Sequence, residues 1–153
     1  MAVEIYIDAD ACPVKDETIR VAARHRLKVY MVSDGGIRPS RNPLVELVIV
    51  APGADAADDW IAAHIQKADI CITSDIPLAA RCLEQGAQAL KPNGEPFTED
   101  AIGMALANRE LMQDLRDSGE ITDGPRPFSK ADRSEFLNRL ETTVREARRR
   151  GSC

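Results

Sequence analysis

The sequence has few of the residues that zinc sites, disulfide frameworks and membrane spans require. It contains two histidines and four cysteines in 153 residues, and no two cysteines form a Cys-x-x-Cys pair. Zinc sites and disulfide frameworks are therefore not expected. Of the four cysteines, only Cys12 is placed where a reactive thiol would matter, beside the acidic motif described below, and a packing role is the preferred interpretation.

Long apolar runs are also absent. No run approaches the roughly 20 residues of a membrane-spanning helix. The chain opens on a predicted strand instead of the basic and apolar segments of a signal peptide. We therefore expect a cytoplasmic protein with no membrane partner. Aromatic residues make up only 4% of the chain, so the core is expected to consist of Ile, Val, Leu and Ala.

The length and the order of the apolar patterns predict one α/β domain over residues 1–150, followed by a frayed tail at 151–153. Fraying is expected to begin at Arg148. Strands are predicted at 3–7, 28–33, 44–50, 70–73 and 87–90. Helices are predicted at 14–25, 56–66, 76–85 and 99–118, and a final one follows a cap at Ser129 and Asp132. Alternating strands and helices predict a three-layer α/β/α fold with a mainly parallel sheet of about five strands and two C-terminal helices.

Aspartates follow two of the predicted strands. Asp8 and Asp10 come directly after the first strand, and Pro13 then opens a predicted helix. The same order recurs at Asp75, which follows the fourth strand and precedes Pro77. Ligands of open α/β sheets bind at the carboxyl ends of the strands, so this edge is the expected functional site.

Two further acids, Asp58 and Asp59, lie in the first turn of the central helix, where Asp55 is the expected cap. Helix capping alone requires fewer acids than this. Carboxylates gathered in one cleft need a counter-charge, and oxygen ligands of this kind suit Mg²⁺ or Mn²⁺. The predicted metal ligands are Asp8, Asp10, Asp58, Asp59 and Asp75, with Asp8 and Asp75 as the catalytic pair. Such a site predicts a metal-dependent phosphodiesterase, most simply a nuclease.

Charge is unevenly distributed along the chain. The net charge is −5, but the segment from Pro125 to the end carries eight basic and four acidic residues. An acidic body argues against broad nonspecific nucleic-acid binding, whereas local basic groups can contact phosphate. The candidate substrate-binding residues are Ser74, Arg38, Arg41, Lys130 and Arg133. One hypothesis is that this segment folds back so that Lys130 or Arg133 reaches the acidic cleft and holds phosphate, but capping of the last helix by Ser129 and Asp132 is the preferred interpretation.

Four separated motifs resemble those of the YaiI/YqxD family of bacterial proteins over essentially the whole chain. They are Asp8-Ala-Asp-Ala-Cys-Pro-Val14, Asp55-Ala-Ala-Asp-Asp-Trp-Ile61, Ile72-Thr-Ser-Asp-Ile-Pro-Leu-Ala-Ala-Arg-Cys-Leu83 and Gly124-Pro-Arg-Pro-Phe-Ser-Lys-Ala-Asp-Arg133. The family is similar to PIN-like domains, whose members are often Mg²⁺- or Mn²⁺-dependent ribonucleases. This resemblance implies catalytic acids at Asp8, at Asp58 or Asp59, and at Asp75, with single-stranded RNA as the substrate.

Two alternatives stay open. A haloacid-dehalogenase-like phosphatase also has an Asp-x-Asp motif after a strand, and Asp8 would then be its nucleophile and Asp10 its acid–base. That class needs a later lysine and acidic pair, for which the sequence offers no suitable residues. The other alternative is a PIN-like module that binds RNA or protein without catalysis. It accords with the absence of a further acid after the fifth strand, where Lys91-Pro-Asn occurs.

Overall fold

The computed structural model describes residues 3–9, 12–35, 37–52, 56–100, 102–103 and 129–151. Five strands, β1 to β5, cover Glu4–Asp8, Lys28–Ser33, Val45–Ile49, Ile70–Ile72 and Gln88–Leu90. Four helices are fully bounded within the described residues, and α1 to α4 cover Lys15–His25, Ala56–His64, Ile76–Glu84 and Lys130–Gly151. Residues 99–100 and 102–103 are helical too, but the rest of the helix predicted at 99–118 lies outside the described residues. Only one of the two predicted C-terminal helices is therefore described.

The strands form one sheet in the order β3-β2-β1-β4-β5, and every neighbouring pair is parallel. The α/β class and the five strands are thus confirmed, and the sheet is entirely parallel. The first strand lies at the centre, where Ile5 is paired with Val29 of β2 and Ile70 of β4. Because all strands point the same way, β1 and β4 end side by side at the carboxyl edge of the sheet.

Side chains alternate between two buried faces of the sheet. Ile5 and Ile7 of β1 pack with α1 and α4, whereas Tyr6 between them packs with α2 and α3. Such alternation is what a sheet covered by helices on both sides requires. The core is largely aliphatic, as the composition predicts. No helix in the described part of the chain is both long and apolar enough to cross a membrane.

The start of α1 differs from the prediction. Pro13 is not the first helical residue, since the helix begins at Lys15 with Val14 as its N-cap. The Val14 carbonyl accepts the first helical bond from Thr18 N (3.0 Å), while the Pro13 carbonyl accepts from Arg133 Nη1 (2.8 Å). The Arg133 side chain thus bonds the carbonyl that would accept the first helical hydrogen bond if the helix began one residue earlier.

The ends of the other helices agree better with the sequence. Asp75 is the N-cap of α3, and Gly86 follows that helix with a φ of +83°, a conformation that favours glycine. The predicted capping pair of α4 is confirmed, because Ser129 N donates to Asp132 Oδ2 (3.0 Å) and Asp132 N donates to Ser129 Oγ (3.2 Å). The apolar stripe by which α4 packs on the core comprises Phe136, Leu137, Leu140, Val144 and Ala147. This helix continues to Gly151, further than the fraying predicted from Arg148 onwards.

Candidate functional site

Asp8 is tied to the neighbouring strand at the carboxyl edge of the sheet. It is the last residue of β1, and Thr73 directly follows β4. Thr73 Oγ1 donates a hydrogen bond to Asp8 Oδ2 (3.1 Å). Thr73 is only 1% exposed, so this bond is shielded from water. The buried hydroxyl therefore fixes the position of a carboxylate that is itself partly exposed.

Asp75 joins the same network. Its backbone N–H donates to Thr73 Oγ1 (3.0 Å), and its Oδ1 accepts from Leu78 N (2.8 Å) at the start of α3. One hydroxyl thus links the two aspartates that the sequence predicts as the catalytic pair. The donors in these bonds, a hydroxyl and a backbone N–H, are electrically neutral groups. No hydrogen bond among the described residues uses Asp75 Oδ2.

The two acids of α2 have different surroundings. Asp59 is 66% exposed and forms an ion pair with Arg81 Nη1 of α3 (2.9 Å). Asp58 is partly exposed and lies near the buried Cys71 of β4. A hydrogen bond with the Cys82 thiol and burial raise the pKa of Cys71, and the charges of Asp8 and Asp58 raise it further. The charges of Asp8 and Asp58 thus both act on the Cys71 thiol, whereas Asp59 is paired with Arg81.

The predicted gathering of acids is only partly present. Asp10 and the expected cap Asp55 lie outside the described residues. Within the described part of the chain, no three His, Cys, Asp or Glu side chains lie close enough together to hold a metal ion. What the structure does show is that Asp8, through its carboxylate, and Asp75, through its backbone N–H, both bond the Thr73 hydroxyl. Since Mg²⁺ commonly uses one or two protein carboxylates and keeps several waters, this donor pair fits such an ion. Metal binding here stays a prediction.

Cys12 is a packing residue. It is 5% exposed and belongs to the core cluster beneath α1 and α4. Burial raises the pKa of its thiol to about 11, and the charges of Asp8 and Glu17 act in the same direction, opposed by a backbone hydrogen bond from Val14 and by the charge of Lys15. A thiol with this pKa is protonated at neutral pH and is a poor nucleophile or metal ligand. The preferred interpretation from the sequence agrees with this environment.

Glu17 is a residue at this edge that the sequence does not single out. Its side chain is 15% exposed, and its Oε1 accepts from Arg133 Nη1 (3.1 Å). Its Oε2 is buried and has no hydrogen-bond partner among the described residues. The same Arg133 nitrogen also donates to the Pro13 carbonyl (2.8 Å). Arg133 therefore does reach the carboxyl edge, where it joins α4 to the start of α1. A contact across 116 positions leaves no local sequence signal.

The other predicted substrate-binding residues are exposed at the surface. Arg38 and Arg41 lie in the connection between β2 and β3, which Ile37 anchors to the core. Lys130 is the first residue of α4, and Ser74 lies between the linked Thr73 and Asp75. None of these four residues forms an ion pair within the described part of the chain. Their role in binding substrate stays a prediction.

Comparisons with known proteins agree with the four sequence motifs. A family model described as "Uncharacterized BCR, YaiI/YqxD family" matches residues 6–146. The UPF0178 protein of Rhodopseudomonas palustris strain TIE-1 is 59% identical over 146 residues, which cover 95% of this chain and 92% of the relative. The UPF0178 protein of Parvibaculum lavamentivorans is 59% identical over 147 residues, covering 96% and 97%. That of Nitrobacter winogradskyi is 57% identical over 148 residues, covering 97% and 94%. No solved structure matches the chain. Because both the family model and these relatives cover nearly the whole chain, the protein belongs to the YaiI/YqxD family.

Proposed function

We propose that this protein is a PIN-like, divalent-metal-dependent nuclease that hydrolyses phosphodiester bonds in RNA. The observation that carries the proposal is the network in which the Thr73 hydroxyl links Asp8 and Asp75. In this network the Thr73 hydroxyl holds the Asp8 carboxylate at the end of β1, and Leu78 N holds the Asp75 carboxylate just beyond the end of β4. The carboxyl edge of a parallel sheet is also where ligands of α/β folds bind.

The donor set suits a hard cation. Asp8 and Asp75 offer carboxylate oxygens, and Mg²⁺ or Mn²⁺ prefers oxygen ligands with retained waters. Asp58 is close enough to contribute to the local negative charge, and Asp10 is the further candidate ligand from the sequence. When bound, the cation would neutralise phosphate charge and lower the pKa of a water molecule.

The protein's own groups would position the substrate. The start of α3 lies beside Asp75, and helix N-termini attract phosphate through their N–H groups and dipole. Asp75 Oδ1 accepts a hydrogen bond from Leu78 N, so the carboxylate is held in a fixed position relative to the start of α3. Exposed Arg38, Arg41 and Lys130 are the candidate cations for flanking phosphates. Ser74, exposed between Thr73 and Asp75, is a candidate hydrogen-bond donor to the scissile phosphate.

The test is cleavage of a labelled single-stranded RNA by protein freed of metal with a chelator and then supplied with Mn²⁺. We expect Mn²⁺-dependent cleavage that falls at least about a hundredfold in Asp8→Asn, the scale expected for losing a group that acts directly in the reaction. The matched control is Asp100→Asn, which neutralises an exposed aspartate outside the linked pair and should cleave at the wild-type rate.

Other outcomes would favour the alternatives. Release of phosphate from small phosphomonoesters with RNA left intact would favour the phosphatase, in which Asp8 is the nucleophile. Binding of RNA without cleavage at any metal concentration would favour the PIN-like binding module. Equal cleavage by wild type and Asp8→Asn would remove the assignment of Asp8.

A further inference from the structure

A cluster of basic side chains surrounds one carboxylate between α1 and α4. Glu141 Oε1 accepts from Arg24 Nη1 (2.9 Å), and its Oε2 accepts from Arg145 Nε (3.1 Å) and from His25 Nε2. Arg148 Nη1 lies 3.2 Å from His25 Nδ1. Since an arginine can only donate, His25 Nδ1 is the acceptor of this hydrogen bond. Glu141 therefore serves two guanidinium groups with a single negative charge.

The cluster carries more positive charge than Glu141 offsets. Arg24 and Arg145 are 59% and 70% exposed, whereas Glu141 is 18% exposed. Arg20 and Arg26 are also exposed, and neither forms an ion pair within the described part of the chain. Arg20 and Arg24 are four positions apart on α1, a like-charge spacing that destabilises a helix by about 0.2–0.5 kcal/mol. We define these four exposed arginines, Arg20, Arg24, Arg26 and Arg145, as the basic surface.

Arg24, Arg26 and Arg145 lie toward the end of α1 that is remote from Asp8, and Arg20 lies midway along that helix. Arg133 near the start of α4 contacts Pro13 and Glu17 near the start of α1, and Glu141 further along contacts Arg24 near its end. The two helices therefore run side by side in the same direction. Over its 11 residues α1 rises about 15 Å away from the carboxyl edge. Helix dipoles favour cations in the last turn, but Arg20 lies in the middle of α1, so the dipole alone does not account for it.

We propose that the basic surface binds the phosphate backbone of a nucleic acid. All four of its cations are arginines, whose planar guanidinium groups match phosphate oxygens in pairs. Apolar side chains that insert would strengthen binding to an anionic membrane, and the exposed large hydrophobic residue in the described part is Ile49 on β3, outside α1 and α4. Since the whole chain carries a net charge of −5, phosphate must be attracted by a local excess of positive charge.

The proposal does not require catalysis at Asp8, so it is tested in the Asp8→Asn protein with a metal chelator present. The measurement is the affinity for a fluorescent single-stranded RNA as a function of salt concentration. In Arg20→Gln/Arg26→Gln, which breaks no described ion pair, we expect the Kd to rise about tenfold at low salt. Two lost phosphate contacts should lower the slope of log affinity against log salt by about 1.4.

Two further variants make the result decisive. Arg24→Gln/Arg145→Gln should weaken RNA binding at least as much, with its unfolding midpoint in urea reporting any loss of fold. The control Arg139→Gln/Lys67→Gln removes the same amount of positive charge from elsewhere on the protein. Arg139 pairs with Glu135 on α4, and Lys67 lies in the turn before β4. The Kd of this control should stay within about twofold of the wild-type value. An unchanged Kd and slope in Arg20→Gln/Arg26→Gln would overturn the proposal. An equal loss of RNA affinity in the control would also overturn it. Equal binding of polyglutamate of matched charge would overturn it too and would assign an acidic protein as the partner.

Discussion

The two ends of α1 present carboxylates in opposite electrostatic settings. Near its start, Asp8 and Asp75 are held by a threonine hydroxyl and a backbone N–H. Near its end, Glu141 is held by arginines and a histidine. A carboxylate held by neutral donors keeps its charge for a cation, whereas one already paired with cations cannot serve as a ligand without losing those pairs. We therefore propose a metal ion for the first end and an anion for the second, where arginine is in excess.

The largest expected effect comes from removing the neutral donor at the first end. Thr73→Val keeps the shape of the side chain and both aspartates but breaks the bonds to Asp8 and from Asp75 N–H. We expect RNA cleavage to fall about 10- to 100-fold, because small displacements of reacting groups have effects of this size. The steady-state rate with saturating Mn²⁺ measures it. Thr73→Ser restores the hydroxyl and should recover most of the rate. Wild-type cleavage by a folded Thr73→Val protein would show that the network is only structural.

A smaller effect is expected at Glu17 and Arg133, which join the start of α1 to α4. Arg133→Gln leaves a half-buried Glu17 carboxylate without its cation, and we expect the free energy of unfolding to fall by about 1–2 kcal/mol. Urea denaturation measures the change. The double variant Glu17→Gln/Arg133→Gln removes the unpaired charge and should be more stable than Arg133→Gln alone. Strictly additive losses would mean that the two side chains do not interact in solution.

The smallest effect is expected at the second end and depends on pH. Partial burial opposes ionisation of Glu141, but the hydrogen bond from His25 and the positive charge of Arg145 outweigh it and lower its pKa. A pKa that is lower in the folded state stabilises the fold at pH values above the unfolded-state pKa of about 4.3. This stabilisation is lost as the pH falls through the folded-state pKa. Glu141→Gln should therefore be less stable than wild type at pH 7, by about 1 kcal/mol at most for an exposed cluster. The difference in melting temperature should vanish in acid. A difference that persists at pH 3 would mean that ionised Glu141 is not its source.

Features set by neighbouring residues could be predicted from the sequence. The strand Lys28–Ser33 has the predicted bounds, and Asp75 and Gly86 delimit α3 through local capping chemistry. Ser129 and Asp132 cap α4 for the same reason. The convergence of Asp8 with Asp75 followed from the rule that parallel strands end at one edge.

Features set by long-range contacts could not be predicted. Arg133 bonds the Pro13 carbonyl across 120 positions, beside a helix that starts at Lys15 rather than at Pro13. Asp59 pairs with Arg81 on another helix instead of joining the other acids. The cluster around Glu141 joins helices more than 100 positions apart. In each case the tertiary partner decides the outcome, and nothing in the local pattern identifies that partner.

The central claim is that the carboxylates at the first end bind a divalent cation. The most direct measurement is the melting temperature of chelator-treated protein as Mn²⁺ is added, since a ligand that binds only the folded state raises it with concentration. Wild type and Asp100→Asn should show a saturable rise, and Asp8→Asn and Asp75→Asn should show little or none. No rise in the wild type, or an equal rise in Asp8→Asn, would contradict the claim.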